Sequence, residues 1–168
     1  MSYAEHQQHA AGESPCCAVV TLSDTRTPGT DTSGNLTRTL LESHGFAVVA
    51  SHLLRDEAAD LQQALDALLA RDDVDVILTN GGTGIAKRDA TVSVVEKAID
   101  TPLPGFGELF RMLSWEQVGS GAMLSRAAAG IARGKLIFAM PGSPKAVELA
   151  MTKLVLPELK HLVNQLKR

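Results

Sequence analysis

The chain has few means of cross-linking itself. Its 168 residues include two cysteines, and these are neighbours, Cys16 and Cys17, at the head of an apolar run. Adjacent cysteines rarely bridge one another, so both are read as buried, reduced thiols of a cytoplasmic protein. Cysteine and histidine do not recur at ligand spacing either, which argues against a Cys/His metal centre. No apolar run approaches the ~20 residues that a membrane span needs. Residues 1–14 are polar and lack the apolar core of a secretion signal. They read as a flexible tail in which His6 and His9 are inert, and the expected location is the cytoplasm. Charge of one sign is lacking too: 16 Lys and Arg stand against 19 Asp and Glu, for a net charge of −3. The basic residues are scattered, so there is no concentrated face for nucleic acid. A phosphate ligand would have to be held by local groups, because the overall field weakly repels it. Internal repeats and low-complexity tracts are absent as well.

What is present suits one globular domain, expected over residues 15–168. The apolar share is 45%, and a chain of this length buries roughly two-thirds of its unfolded surface. Cys16–Leu22 (CCAVVTL) is short, apolar and β-branched, and predicts a buried strand. Ser23–Gly34 is a polar loop, after which Leu36, Leu40 and Leu41 share a helical face closed by Gly45. Phe46–Leu54 predicts a second strand, with Asp56 just past its end. Asp60–Ala70 carries an amphipathic leucine stripe. Val74–Thr79 predicts a third strand, the loop Asn80–Asp89 (NGGTGIAKRD) follows, and Thr91–Ala98 is helical. Thr101–Gly107, with two prolines and two glycines, reads as a loop, and Glu108–Trp115 as a short helix. Ala127–Ile131 and Leu136–Met140 fit a hairpin around Gly134, although the first segment is also helix-compatible. Lys145–Lys167 is a final helix with a kink at Pro157. Strands and helices alternate, so the expected fold is a three-layer α/β/α arrangement on a mostly parallel sheet, with one antiparallel edge strand.

In such sheets ligands lie beyond the carboxyl ends of the strands. Four polar loops follow strands here, at Ser23–Asp24, Arg55–Asp56, Gly81–Asp89 and Gly142–Ser143, and they should meet at one edge. Gly81, Gly82 and Gly84 let the backbone approach an anion and turn N–H groups towards it, with Thr83 among them. The loop lacks the closing Gly-Lys-Ser/Thr of a Walker A motif and the G-x-G-x-x-G dinucleotide pattern. Asp89 stands before a helix and could cap it, yet Thr91 could cap equally well, leaving Asp89 free. Asp56 could be a plain solvated acid, but two carboxylates at neighbouring strand ends repel, and Mg²⁺ would relieve that while bridging to phosphate oxygens. Ser23 and Asp24 could serve a turn, and Ser143 a helix cap. Arg26, Lys87, Arg88, Arg111 and Arg126 are candidate phosphate clamps. Phe110 and Trp115 suit the core or a subunit contact better than ligand stacking. A phospho-acceptor receiver of similar fold is disfavoured, because the third strand ends in Thr79-Asn80 rather than an acceptor aspartate.

Four ordered motifs, Thr21–Asp24 (TLSD), Asn80–Gly84 (NGGTG), Lys87–Thr91 (KRDAT) and Pro141–Ser143 (PGS), together resemble the MoaB/MogA family of molybdenum-cofactor biosynthesis, to which the gephyrin G domain belongs. Gly105–Ser114 (GFGELFRMLS) and Leu124–Gly130 (LSRAAAG) are similar to its MoaB branch. The resemblance runs from about Cys16 to the C-terminus. It implies molybdopterin adenylyltransferase activity, in which AMP from Mg·ATP joins the terminal phosphate of molybdopterin and pyrophosphate is released. It also implies that Asp56 and Asp89 serve Mg²⁺ and catalysis, that Gly81, Gly82, Thr83 and Gly84 cradle the ligand, and that Ser23, Asp24, Gly142 and Ser143 line the pocket. Further implications are a homo-oligomer, a trimer or more fittingly a hexamer, and other proteins of the pathway as partners. The chain departs from many members after Asp-x-Thr, where Val92-Ser93-Val94 replaces Pro-Glu-Ala. The competing expectation is an oligomer that binds or carries molybdopterin without catalysis.

Overall fold

The computed structural model describes residues 3, 12, 14–87 and 89–167. Most of the expected tail, including His6 and His9, and the candidate clamp Arg88 lie outside the described residues. Six strands form one sheet: β1 (Cys16–Leu22), β2 (Ala47–Leu54), β3 (Val76–Asn80), β4 (Thr101–Pro102), β5 (Ala128–Ala132) and β6 (Lys135–Met140). Their order is β2-β1-β3-β6-β5-β4. Strands β2, β1, β3 and β6 pair in parallel, and β5 pairs antiparallel with β6 on one side and with β4 on the other. Helices connect and cover them: α1 (Thr32–Ser43), α2 (Ala58–Leu69), α3 (Thr91–Ala98), α4 (Pro104–Val118), α5 (Pro144–Ala150) and α6 (Leu156–Leu166).

The three layers follow from the strand periodicity. Consecutive side chains of a strand point to opposite faces. Cys17 and Val19 of β1 and Val76 and Leu78 of β3 therefore join one buried cluster, completed by Leu41, Phe110, Met151 and Leu159. Ala18, Val20 and Ile77 join the other, with Leu61, Leu65 and Val95. Both faces of β1 and β3 are apolar because both are covered, as parallel sheets require. Register then sets the site. Leu22 pairs with Leu54, Thr21 with Asn80 and Asn80 with Met140, so four carboxyl ends lie in a row.

Several boundaries differ from the sequence reading. Helix α1 begins inside the expected polar loop, because Asp31 caps it with Oδ1 accepting from the Gly34 N–H at 2.9 Å. The expected loop at 101–107 is instead a short edge strand, β4, followed by the first turn of α4. Pro104 sits where a helix needs no N–H donor, and Pro102 stands in an edge strand, where its missing N–H is tolerated. The hairpin turns through Arg133 and Gly134, both at positive φ. The kink expected at Pro157 is a π-helical turn over Met151–Val155, immediately before α6. Proline offers no N–H to the ladder, and the helix widens just ahead of it. Cys16 and Cys17 are both free thiols, but Cys16 is only half-buried. Burial pushes the Cys17 thiol up to about 12. No helix among the described residues is long and apolar enough to cross a membrane.

Candidate functional site

The four expected loops meet at the carboxyl edge of the sheet. The loop after β3 starts with Gly81 at φ +101° and Gly82 at φ +60°, backbone conformations that L side chains rarely adopt. The Gly81 N–H donates to the Met140 carbonyl at 3.1 Å, tying the loop to the end of β6. A β-carbon on Gly81 would lie 2.2 Å from the Leu22 carbonyl oxygen, and one on Gly142 would lie 3.0 Å from the Gly81 α-carbon. The chain can therefore bring β1, β3 and β6 together here only with a bare backbone. The loop after β2 reaches the same point. A β-carbon on Gly82 would stand 2.6 Å from Asp56 Oδ1 and 2.2 Å from Thr91 Oγ1. The Asp56 N–H donates to Asp24 Oδ1 at 3.1 Å, joining the loops after β1 and β2.

Asp89 is set by its own turn. Its Oδ2 accepts from the Ala86 N–H at 2.9 Å, and its N–H donates to the Ala86 carbonyl at 2.9 Å. The helix cap of α3 is Ala90, with no side-chain bond, so neither Asp89 nor Thr91 performs the capping role open to it in sequence. Asp89 is close enough to act on Asp56. Burial first, then the charges of Asp89 and Glu57, hold the Asp56 carboxyl above its ordinary range. A β-carbon on Gly84 would stand 2.6 Å from Asp89 Oδ2, so both acids lie against the same glycine loop.

That shift has a consequence for stability. A carboxyl with a raised folded pKa favours folding at pH below the ordinary carboxylate range and loses that contribution as pH rises through the raised value. At neutral pH the Asp56 charge therefore opposes folding, weakly, because solvent reaches it. Asp56→Asn is expected to raise the thermal midpoint at pH 7 by about 1–3 °C. The gain should vanish at about pH 3, where the wild-type carboxyl is protonated. Calorimetry at both pH values checks this; a variant less stable than wild type at pH 7 would contradict it.

Other candidates divide. Ser23 Oγ accepts from the N–H groups of Thr25 at 3.3 Å and Arg26 at 3.2 Å, so it shapes the first loop. Ser143 Oγ accepts from the Ala146 N–H at 3.2 Å and caps α5. Thr83 is buried. Three candidate clamps are turned onto protein carbonyls. Arg26 Nη2 donates to Gly142 at 3.0 Å, Arg111 Nη1 to Ser125 at 3.4 Å, and Arg126 Nε to Gly84 at 2.9 Å. Lys87 lines a cavity of about 500 Å³ with Asp24, Arg55, Asp56 and Glu57. A second cavity, of about 840 Å³, lies beside the loop after β6, lined by Phe110, Ser114, Ser125, Ser143, Lys145 and Lys153. Phe110 belongs to the core, whereas Trp115 is 62% exposed.

Two buried groups at the loop were not among the expected site residues. Thr91 Oγ1 and Asn80 Oδ1 have no hydrogen-bond partner, although Asn80 Nδ2 donates to Thr21 Oγ1 at 3.1 Å. Both residues end or begin an element beside Gly81 and Gly82, and a buried asparagine closing an apolar strand is the signal that could have found one of them. Among the described residues no group of three or more His, Cys, Asp or Glu could hold a metal ion. Two carboxylates are nonetheless the usual protein share for Mg²⁺, which draws its remaining oxygens from phosphates and water.

A mostly parallel sheet with a glycine loop and two acids past its strand ends defines an open α/β protein, a class in which ligands lie at that edge. Comparison with known proteins gives the family. Residues 18–161 match the family described as "Probable molybdopterin binding domain", and the chain belongs to this family of molybdenum-cofactor biosynthesis proteins. It is similar to molybdenum cofactor biosynthesis protein B of Bacillus cereus, with 50% identity over 100% of this chain and 99% of that one. A crystal structure of a molybdenum cofactor biosynthesis protein B superposes with TM-score 0.91 at 50% identity, covering 94% of this chain and 99% of the other. The tungsten cofactor synthesizing protein MoaB of Pyrococcus furiosus gives 0.85 at 32% identity, covering 94% of this chain and 100% of the other.

Proposed function

We propose that the chain, with residues 15–168 acting as one domain, transfers the adenylyl group of ATP to the terminal phosphate of molybdopterin in the cytoplasm. The observation that carries this reading is the meeting of Asp56 and Asp89 at the glycine loop, where β-carbons on Gly82 and Gly84 would each stand 2.6 Å from a carboxylate oxygen, of Asp56 and Asp89 respectively. An oxygen of the pterin phosphate attacks the α-phosphorus of ATP. The bond from the α-phosphorus to the bridging oxygen breaks, and pyrophosphate leaves with that electron pair. The nucleophile is already an anion at neutral pH, so no strong base is required. The obstacle is repulsion between anions, and position and charge neutralisation lower it. Asp56 and Asp89 suit Mg²⁺, which when bound would neutralise phosphate charge and steady the leaving group. In this reading the N–H groups of residues 82–84 donate to phosphate oxygens, with the partial charge of the α3 N-terminus adding to them. Asp24 lines the smaller cavity and Ser143 the larger, and in this reading Ser23 and Gly142 join them around the ligand. The test is direct: the protein, molybdopterin and Mg·ATP should release one pyrophosphate per adenylylated pterin. Tight pterin binding with no pyrophosphate would leave the carrier reading in its place.

The surface supports self-association under either reading. Leu109, Met112, Trp115 and Val118 recur at every third position of α4, and Met123 and Leu124 follow in the 3₁₀ turn Gly119–Leu124. All six are exposed, an apolar patch of the kind that marks an interface. The expected state is a trimer, or a hexamer of paired trimers, and other proteins of the pathway are further candidates for contact. Trp115→Glu together with Met112→Glu should yield a monomer by sedimentation with an unchanged circular dichroism spectrum. An unaltered sedimentation coefficient would remove α4 from the interface.

A further inference from the structure

Arg126 lies between the 3₁₀ turn and β5, far along the chain from the glycine loop, yet its guanidinium ends there. Nε donates to the Gly84 carbonyl at 2.9 Å, and Nη2 donates to the Asp89 carbonyl. One side chain thus grips both ends of segment 84–89. The other hydrogen bonds of its described residues are local. Residues 85–87 are exposed, and Ile85 has 72% of its surface in solvent. The bonds between Ala86 and Asp89 are internal to the turn and would travel with it if it moved. The planar fork of arginine suits this task, since it carries donors on separate nitrogens at fixed angles. A lysine ammonium is a single point on a flexible stem.

We propose that Arg126 is a positioning residue: by clamping the carbonyls of Gly84 and Asp89 it holds the Asp89 carboxylate against Asp56 and the glycine loop. A phosphate clamp is a different role, for which these donors are no longer free to turn. Arg126 is also dispensable to the core. Neither buried cluster includes it, and its stem lines an open groove of about 660 Å³ between α3 and α4. Its removal therefore loosens the loop without hollowing the interior. For its kinetic arm alone, the inference rests on the adenylyl-transfer reading.

The experiment compares wild type with Arg126→Ala and Arg126→Lys by hydrogen exchange and by pyrophosphate release. Amides of residues 84–90 should exchange about tenfold faster or more in both variants, while those of β3 and β6 change less than about twofold. The kcat for pyrophosphate release should fall about 10²-fold, with KM for Mg·ATP within about threefold of wild type. Ethylguanidinium in the buffer should restore Arg126→Ala by about tenfold or more, a response that a general loss of folding would not give. Unchanged exchange in segment 84–90 in both variants would overturn the proposal whatever the kinetics. Faster exchange in that segment with unaltered kcat would overturn its catalytic half. A wild-type protein that releases no pyrophosphate would overturn the transfer reading instead, and the exchange data would then decide the clamp alone.

Discussion

Asp89→Asn should lower pyrophosphate release about 10²-fold or more while molybdopterin binding survives, the scale expected for one key electrostatic contact. The substitution is nearly isosteric, and its side-chain oxygen can still accept from the Ala86 N–H, which Asp89 Oδ2 now does at 2.9 Å. The turn therefore keeps its shape and only the charge is lost. Two further readouts follow from that charge. The Asp56 carboxyl, raised by burial and then by Asp89, should titrate lower in the variant and yet stay above its ordinary range, because burial remains. Half-saturation by Mg²⁺ should rise by about tenfold, since one of two carboxylates is gone. Turnover near the wild-type value, with Asp56 titrating as before, would remove Asp89 from the reaction.

Local signals carried the elements, and distant partners carried what the sequence concealed. Cys16–Leu22 shows its strand through β-branched residues, and α3 begins at Thr91 and ends at Ala98 as its pattern predicts. Strand β4 was illegible because its identity lies in its pairing: Thr101 meets Ile131 and Pro102 meets Gly130, and nothing between residues 101 and 107 announces that. The convergence of Ser23, Asp56, Gly81 and Gly142 was legible because parallel topology dictates it. The arginines were not. Arg26, Arg111 and Arg126 have the composition of phosphate clamps, but loops that cross one another leave carbonyls in need of donors, and these guanidinium groups meet that need. Ser143 was ambiguous for a related reason, since one hydroxyl can cap a helix or face a ligand, and here it caps α5.

Gly82→Ala should abolish the site more thoroughly than any loss of charge. At φ +60° an alanine carries a backbone penalty of about 1 kcal/mol. Its β-carbon would also stand 2.2 Å from Thr91 Oγ1 and 2.6 Å from Asp56 Oδ1. Thr91 is buried and short and cannot retreat, whereas Asp56 can swing out to solvent. The fold should therefore survive with a loss of about 1–3 kcal/mol. The carboxylate should leave its place, and turnover should fall by about 10²–10³-fold, as expected when a group is misplaced by an ångström or more. Gly45→Ala separates the two causes, because Gly45 has φ +80° and nothing within 4 Å of the added carbon. That variant should show the backbone penalty alone, with turnover intact. If Gly82→Ala matched Gly45→Ala in both stability and turnover, the close approach of Asp56 to the glycine loop would have no part in the chemistry.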